Sequence, residues 1–120
     1  ETGWSSISVG FYGNNGSFAA DEYKQAIYHN AMREWTDAEG ISCFYFEAFD
    51  EQWKDPNHSE GSENHFGLIT LDGQAKYGLW DLVDEGVFEG LSRGGQEITK
   101  TFEGDTTALL QTVSAPKRRR

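Results

Sequence analysis

The apolar positions in the first third of the chain repeat with the period of an α-helix. Between Phe18 and Ala38, one stripe has an apolar residue at every fourth position, namely Tyr23, Ile27, Ala31 and Trp35. This spacing predicts an amphipathic helix that buries one stripe of side chains. Ser17 or Asp21 can cap its start, and Gly40 is well placed to end it.

A mostly apolar run follows Gly40 and predicts a buried strand. Residues Ile41–Phe46 are hydrophobic on both faces of an extended chain, which is typical of a strand covered on both sides. Cys43 lies inside this run, so we expect a small buried side chain, and a single cysteine cannot form an internal disulfide. The run ends abruptly in the charged segment Glu47–Lys54, as a barrel strand does where it reaches an active-site rim.

The rest of the chain has shorter and less regular elements. We predict a loop at Asp55–Ser62, an extended piece at Phe66–Ile69 and a turn at Leu71–Gln74. These are followed by a helix at Tyr77–Val83, a β-type segment at Ile98–Phe102 and a last short helix at Asp105–Val113. Gly86 follows the second helix. One central strand with two helices is too little sheet for a stable core, so the order of elements predicts part of a larger α/β barrel.

Charge and hydropathy restrict the classes of partner. The net charge is −10, and four of the ten basic residues form the last four positions, Lys117–Arg120. The body therefore has twenty acidic residues against six basic ones, which is unfavourable for binding nucleic acid. No apolar run approaches the roughly 18 residues of a membrane span. We predict no nucleic-acid partner, no membrane span in this chain and a solvated basic tail at 117–120.

Side chains that could bind a ligand are concentrated around the polar loop. His58 and His65 lie near three carboxylates, yet their spacing fits no strong metal motif, so we predict solvated loop residues, no metal and no cofactor. Aromatic residues make up 14% of the chain, with four tryptophans. A surplus of aromatic rings near carboxylates suggests a flat apolar ligand such as a sugar ring.

Two motifs stand on either side of the first predicted helix. Glu1-Thr2-Gly3-Trp4 opens the chain, and Phe46-Glu47-Ala48-Phe49-Asp50-Glu51-Gln52-Trp53-Lys54 ends the predicted strand. Because successive barrel strands end at the same rim, Glu1 and the Glu47–Lys54 segment should face one pocket.

These motifs, followed by Ser62-Glu63 and Phe66-Gly67-Leu68, resemble the C-terminal part of a family 17 glycoside hydrolase. This is the β-1,3-glucanase and glucan-transferase family, and the likeness is to its bacterial and fungal branch. It is good over residues 1–80 and weaker beyond. The resemblance implies the C-terminal portion of a TIM (β/α)8 barrel, from the end of strand 7 through helix 7 and strand 8 to helix 8, incomplete on its own. Ser5 departs from the pattern, since the family usually has proline there.

The resemblance also implies roles for individual residues. Glu1 would be the catalytic nucleophile of a retaining double displacement. The substrate-binding residues it implies are Trp4, Phe49, Glu51, Trp53, Lys54 and Glu63. Among these, the aromatic rings are candidate sugar platforms, and the charged residues bind hydroxyl groups and give electrostatic support. The general acid belongs to a strand outside this chain, so we expect the chain alone to be inactive.

The resemblance divides the chain into three parts. Residues 1–86 would form the C-terminal quarter of the barrel, residues 87–116 an extension that packs on the barrel, and residues 117–120 a basic tail. The implied partners are a β-glucan and the missing N-terminal part of the barrel, in an extracellular or cell-envelope location. Two alternatives remain open. One is a β-1,3-glucan transglycosylase, and the other is a non-catalytic carbohydrate-binding fragment.

Overall fold

The computed structural model describes residues 1–8, 19–113 and 115. Ser17, one of the two possible caps of the first helix, and the basic tail at 117–120 lie outside the described residues. Within the described part, no helix combines the length and the apolar character needed to cross a bilayer.

The first helix, α1, spans Glu22–Glu39 and is the longest element described. Asp21 caps its start, because its side chain accepts a hydrogen bond from the Lys24 amide at 2.8 Å. Gly40 ends it in the left-handed region, with φ of 65°. Both predicted ends of the helix are therefore confirmed.

The predicted buried stripe of α1 is wrong for this chain. Ile27 and Trp35 are exposed at 51% and 56%. The buried residues of the helix are instead Gln25, Ala26 and Thr36. Gln25 can be buried because its side-chain amide donates hydrogen bonds to the carbonyls of Trp4 and Gly67, both at 3.0 Å. The spacing identified an apolar face but not the surface that covers it.

The predicted strand at Ile41–Phe46 is extended but pairs at a single position. Tyr45 forms a parallel bridge with Thr2. Burial on both faces was also predicted and is wrong here, since Phe44 is strongly exposed and Cys43 is only half-buried. The pairing with Thr2 joins this segment to the start of the chain.

Short elements make up the second half of the chain. Two strand pairs form: β1 (Gln74–Ala75) is parallel to β4 (Thr99–Lys100), and β2 (Ser92–Arg93) is antiparallel to β3 (Gln96–Glu97). The helices are α2 (Trp80–Asp84) and α3 (Thr106–Leu110), with 3-10 turns at Ser62–Asn64, Tyr77–Leu79 and Thr101–Gly104. The second predicted helix is therefore confirmed as a 3-10 turn plus α2. The last one is confirmed with Asp105 as its cap but ends at Leu110.

The apolar core lies among these short elements. Its buried residues are Ile69, Ala75, Leu79 and Ile98. Phe88 packs against this cluster, so residues beyond position 86 contribute to the same core as those before it. The domain limits at 86 and 116 stay predictions.

One carboxylate fastens α1 to the elements of this core. Glu22 accepts hydrogen bonds from the Tyr77 amide at 3.1 Å and from the Thr101 hydroxyl at 2.7 Å. Burial raises the pKa of Glu22, and these two hydrogen bonds act in the opposite direction. Because Glu22 opens α1, its two bonds fix the start of the helix beside the second half of the chain.

Candidate active site

The three motifs that are distant in sequence lie side by side. The Thr2 carbonyl accepts a hydrogen bond from the Phe46 amide at 2.6 Å, which places the first motif along one side of the second. On the other side, the Leu68 amide of the third motif, Phe66-Gly67-Leu68, donates to the Glu47 carbonyl at 3.1 Å. The extended segment 44–50 therefore lies between the first motif and the Phe66-Gly67-Leu68 motif.

Two motif glycines allow this close approach. A Cβ atom on Gly3 would overlap the carbonyl oxygen of Phe46, and one on Gly67 would overlap the backbone of Phe49 and Asp50. Neither glycine has positive φ, so the requirement is for an absent side chain rather than for a special conformation. Gly3 and Gly67 thus set the spacing between the three segments.

Glu1 is exposed at the start of the first segment. The side chains that follow it face α1: the Thr2 hydroxyl is hydrogen-bonded to the Tyr28 hydroxyl, and the ring of Trp4 packs on Tyr28 with centroids 5.1 Å apart. Side chains alternate between faces along an extended chain. We therefore expect Glu1 on the face opposite α1.

The candidate sugar platforms occupy different surroundings. Trp4 lies against the helix, and its indole Nε1–H donates to the Ala19 carbonyl at 2.9 Å. Trp53 and Phe49 are exposed at 72% and 46%. This placement favours a packing role for Trp4 and leaves open ring surface on Phe49 and Trp53.

Lys54 joins two carboxylates of the second motif. Its Nζ lies 3.3 Å from Glu47 Oε2, 3.7 Å from Glu51 Oε2 and 3.6 Å from the centre of the Phe46 ring. Burial raises the pKa of Glu47; the hydrogen bond and positive charge of Lys54 oppose that shift, and the charge of Glu51 adds to it. Glu47, which was not among the predicted site residues, therefore forms a charged group with Glu51 and Lys54.

One oxygen atom in the charged group lacks a hydrogen-bond donor. Within the described residues, Glu51 Oε2 is buried and accepts no hydrogen bond, although Lys54 Nζ lies 3.7 Å away as an ion-pair partner. A buried acceptor without a donor costs free energy, so such atoms usually have a partner. Here the positive charge of Lys54 offsets part of that cost.

Glu63 stands apart from this group. It is half-buried on the 3-10 turn Ser62–Asn64. Among the described ion pairs, those of Lys54 involve Glu47 and Glu51 rather than Glu63. Glu51, Lys54 and Glu63, the three charged residues predicted to bind substrate, are thus not all joined by the ion pairs of the described residues.

A buried ion pair lies beneath the second motif, and sequence reasoning gave it no role. Lys76 Nζ is 2.7 Å from Asp50 Oδ1 and 2.8 Å from Ser6 Oγ, and the two charged side chains are only 2% and 4% exposed. Asp50 Oδ1 also accepts from the Gly67 amide at 2.9 Å. Burial lowers the pKa of Lys76, and Asp50 acts in the opposite direction. In the sequence, the single lysine between Ala75 and Tyr77 is the signal that could have indicated this buried ion pair.

His65 differs from the solvated loop residue that was predicted. Its Nδ1 lies 3.4 Å from Asp50 Oδ2, and its Nε2 is 2.7 Å from the Ser59 carbonyl. Burial lowers the pKa of His65, but the hydrogen bonds with Asp50 and Ser59 outweigh this and leave the pKa raised. His58 is exposed beside Asp55. Across residues 1–8, 19–113 and 115, no group of His, Cys, Asp and Glu side chains is arranged to hold a metal ion.

Comparison with known proteins assigns this arrangement to a family. The family model of the glycosyl hydrolases family 17 matches residues 1–80, which include all three motifs. The chain belongs to glycosyl hydrolase family 17. The resemblance noted in the motifs is therefore confirmed.

Curated relatives of this family 17 chain carry the name glucan 1,3-beta-glucosidase. The one from Arthroderma benhamiae is 37% identical over 84 residues, which cover 64% of this chain and 25% of the relative. The one from Saccharomyces cerevisiae is 39% identical over 83 residues, which cover 66% of this chain and 24% of the relative. The chain thus matches about a quarter of the length of these relatives.

A solved structure extends the family 17 match beyond residue 80. The crystal structure of an endo-laminarinase from Formosa Hel1_33_131 is 62% identical, with a TM-score of 0.92 over 99% of this chain and 31% of that chain. This match is consistent with the prediction that the chain forms part of a barrel. The assignment of individual elements to strands 7 and 8 and to helices 7 and 8 stays a proposal.

Proposed function

We propose that the protein containing this family 17 chain hydrolyses β-1,3-glucan by a retaining double displacement, with Glu1 as the nucleophile. The observation that carries the proposal is the bridge between Thr2 and Tyr45, which places the Glu1 segment directly beside the one that carries Lys54. The names of the relatives, glucan 1,3-beta-glucosidase and endo-laminarinase, support the substrate class.

The chemistry divides into two displacements at the anomeric carbon. The Glu1 carboxylate forms a bond to this carbon, while a general acid from outside the chain protonates the departing glycosidic oxygen. The same outside residue then removes a proton from water, which attacks the glycosyl ester and releases Glu1. Two inversions give net retention, and the two carboxyl groups stand about 5–5.5 Å apart in such enzymes.

The charged group supports substrate binding beside Glu1. Glu51 is partly exposed beside Lys54, and its carboxylate can accept a hydrogen bond from a sugar hydroxyl, which would orient the ring. Lys54 neutralises part of the charge of Glu47 and Glu51, so that three carboxylates including Glu1 can share one cleft. The open faces of Phe49 and Trp53 are the proposed sugar platforms.

The exposed apolar surfaces suggest where the rest of the barrel packs. The outer face of α1 exposes Ile27 and Trp35, and the extended segment exposes Phe44. Since the chain covers about a quarter of its relatives, we propose that the remaining barrel covers these residues. An extracellular or cell-envelope location is proposed from the family resemblance.

Replacing Trp53 by alanine in the full-length protein should weaken binding of laminari-oligosaccharides by about 1–2 kcal/mol, because the ring would lose its contact with a sugar face. Trp4→Ala serves as the comparison and should lower thermal stability instead, since its ring packs on Tyr28. Isothermal titration calorimetry and thermal melts on both variants separate the two roles. Unchanged affinity in a folded Trp53→Ala variant would remove Trp53 from the site.

Replacing Lys54 by methionine should lower kcat by about ten- to a hundredfold in a protein that still folds. The Lys54 and Glu47 side chains keep 17% and 14% of their surface exposed, so loss of this pair should cost less than the roughly 3–5 kcal/mol of a fully buried pair. Without Lys54, Glu47 and Glu51 would lose their shared counter-ion, so the carboxylates proposed to hold the sugar in place would shift or take up a proton. Kinetics and melting curves from one preparation test this, and a large fall in melting temperature with normal kcat would make Lys54 structural.

Product analysis separates hydrolysis from transfer. Incubation of the full-length protein with laminari-oligosaccharides should give shorter products only. Products longer than the substrate would indicate a transglycosylase. Binding without any turnover would indicate a non-catalytic carbohydrate-binding protein.

A further inference from the structure

A small hairpin after the family-matched region reaches back to the candidate site. β2 and β3 pair antiparallel across Gly94 and Gly95, which have φ of 57° and 81°. Two left-handed residues in a two-residue loop are typical of a tight hairpin turn. The hairpin thus holds Arg93, the last residue of β2, in a defined position.

Arg93 binds the backbone on which the second motif rests. Its Nη2 donates to the Asp50 carbonyl at 2.8 Å, and its Nη1 donates to the Thr70 carbonyl at 2.9 Å. The planar guanidinium can satisfy both acceptors at once. Arg93 therefore fixes the ends of two neighbouring segments that form the rim.

The same guanidinium lies against a candidate sugar platform. Arg93 Cζ is 5.0 Å from the centre of the Phe49 ring, which is within the range of a cation–π contact. Phe49 is still 46% exposed, so part of its ring remains open to a ligand. A ring supported by a rigid guanidinium loses less conformational freedom when a sugar stacks on it.

The hairpin is packed tightly enough to act as a support. Gly73 is buried with φ of 79°, and a Cβ atom there would lie 3.2 Å from the Gln96 carbonyl oxygen and 3.4 Å from Arg93 Cβ. The turn before β1 and the hairpin are thus in direct contact. Arg93 reaches the rim from a docked element rather than from a free loop.

We infer that Arg93 is a positioning residue for substrate, and that the hairpin β2–β3 is part of the sugar-binding site because it holds Phe49 as a platform. This inference rests on the proposed function. It assigns a role in glucan binding to a segment that lies beyond the residues matched by the family model. Arg93 acts through Phe49 and has no part in bond breaking.

The test is a double-mutant cycle in the full-length protein. Arg93→Gln and Phe49→Ala should each raise KM for long laminari-oligosaccharides by about tenfold, with kcat changed less than about twofold, because both remove binding rather than chemistry. The double variant should be no worse than Phe49→Ala alone, since Arg93 acts through that ring. Arg93→Lys should not restore KM, because an ammonium group cannot hold two carbonyls and a ring in one plane.

Lys100→Met is the matched control. Lys100 is a cation of the same C-terminal segment that pairs with Asp84 and lies 5.9 Å from the Trp80 ring. Its substitution should leave KM unchanged. If Arg93→Gln lowers the melting temperature but leaves KM unchanged, or if its effect on KM adds to that of Phe49→Ala, the inference is overturned while the proposed function stands.

Binding measured without turnover separates failure of the inference from failure of the proposed function. The same variants in a Glu1→Gln background should show a matching loss of affinity for laminari-oligosaccharides by calorimetry. A full-length protein that binds these sugars through Phe49 and Arg93 but hydrolyses none of them would contradict the proposed function and support the inference. A protein that binds no laminari-oligosaccharide would overturn both.

Discussion

Replacing Glu1 by glutamine in the full-length protein should lower kcat on laminari-oligosaccharides by about a thousandfold or more, which is about 4 kcal/mol in activation free energy. Glutamine keeps the size of the side chain but removes the negative charge that attacks the anomeric carbon. The first displacement then has no nucleophile. Sugar binding should remain, because the groups proposed to hold the substrate are unchanged.

Steady-state kinetics and calorimetry on the same preparation test this prediction. Glu60→Gln is the matched control, since Glu60 is an exposed carboxylate of the loop outside the charged group. It should leave kcat unchanged. If Glu1→Gln keeps more than about a tenth of the original kcat, a barrier change below roughly 1.4 kcal/mol, Glu1 is not the nucleophile.

Replacing Lys76 by methionine should lower the free energy of unfolding by about 3–5 kcal/mol, the range expected when one partner of a buried ion pair is removed. Methionine fills a similar volume, so the loss is mainly electrostatic. Asp50 would remain buried with the Gly67 amide and His65 as its neighbours but without its cation. A buried carboxylate in that position either stays charged at high cost or takes up a proton.

Chemical denaturation of the full-length protein, followed by circular dichroism, measures the effect. Lys100→Met again serves as the control, because its ion pair with Asp84 is largely exposed on the carboxylate side. Such a pair contributes at most about 1 kcal/mol. Equal shifts for the two variants would show that the buried pair contributes no more to stability than the exposed pair.

Local signals in the sequence predicted the two ends of α1, and a general rule for barrels predicted that the first two motifs lie close together. Asp21 and Gly40 could be identified because capping depends on residues within one turn. The meeting of the first two motifs followed from a general property of barrels, since successive strands end at one rim. The family followed from the order of three motifs.

Burial and long-range pairing could not be predicted in the same way. The exposure of Ile27 and Trp35 depends on what packs against α1, and the periodicity of one helix does not contain that information. The orientation of the Trp4 ring depends on its contact with Tyr28, which lies in α1. Lys76 and Arg93 reach Asp50 across sequence separations of 26 and 43 residues, so only the folded chain connects them.

The most direct test of the account is to trap the covalent intermediate on the full-length protein. A 2-deoxy-2-fluoro laminaribiosyl fluoride has a good leaving group, while the fluorine at C2 slows breakdown of the glycosyl ester, so the intermediate should accumulate. Mass spectrometry of the digested protein should then find the added disaccharide on the peptide that contains Glu1, and NMR of the natural reaction should show products with retained anomeric configuration. A label on a peptide carrying Glu47, Glu51 or Glu63 in place of Glu1, or products of inverted configuration, would contradict the account.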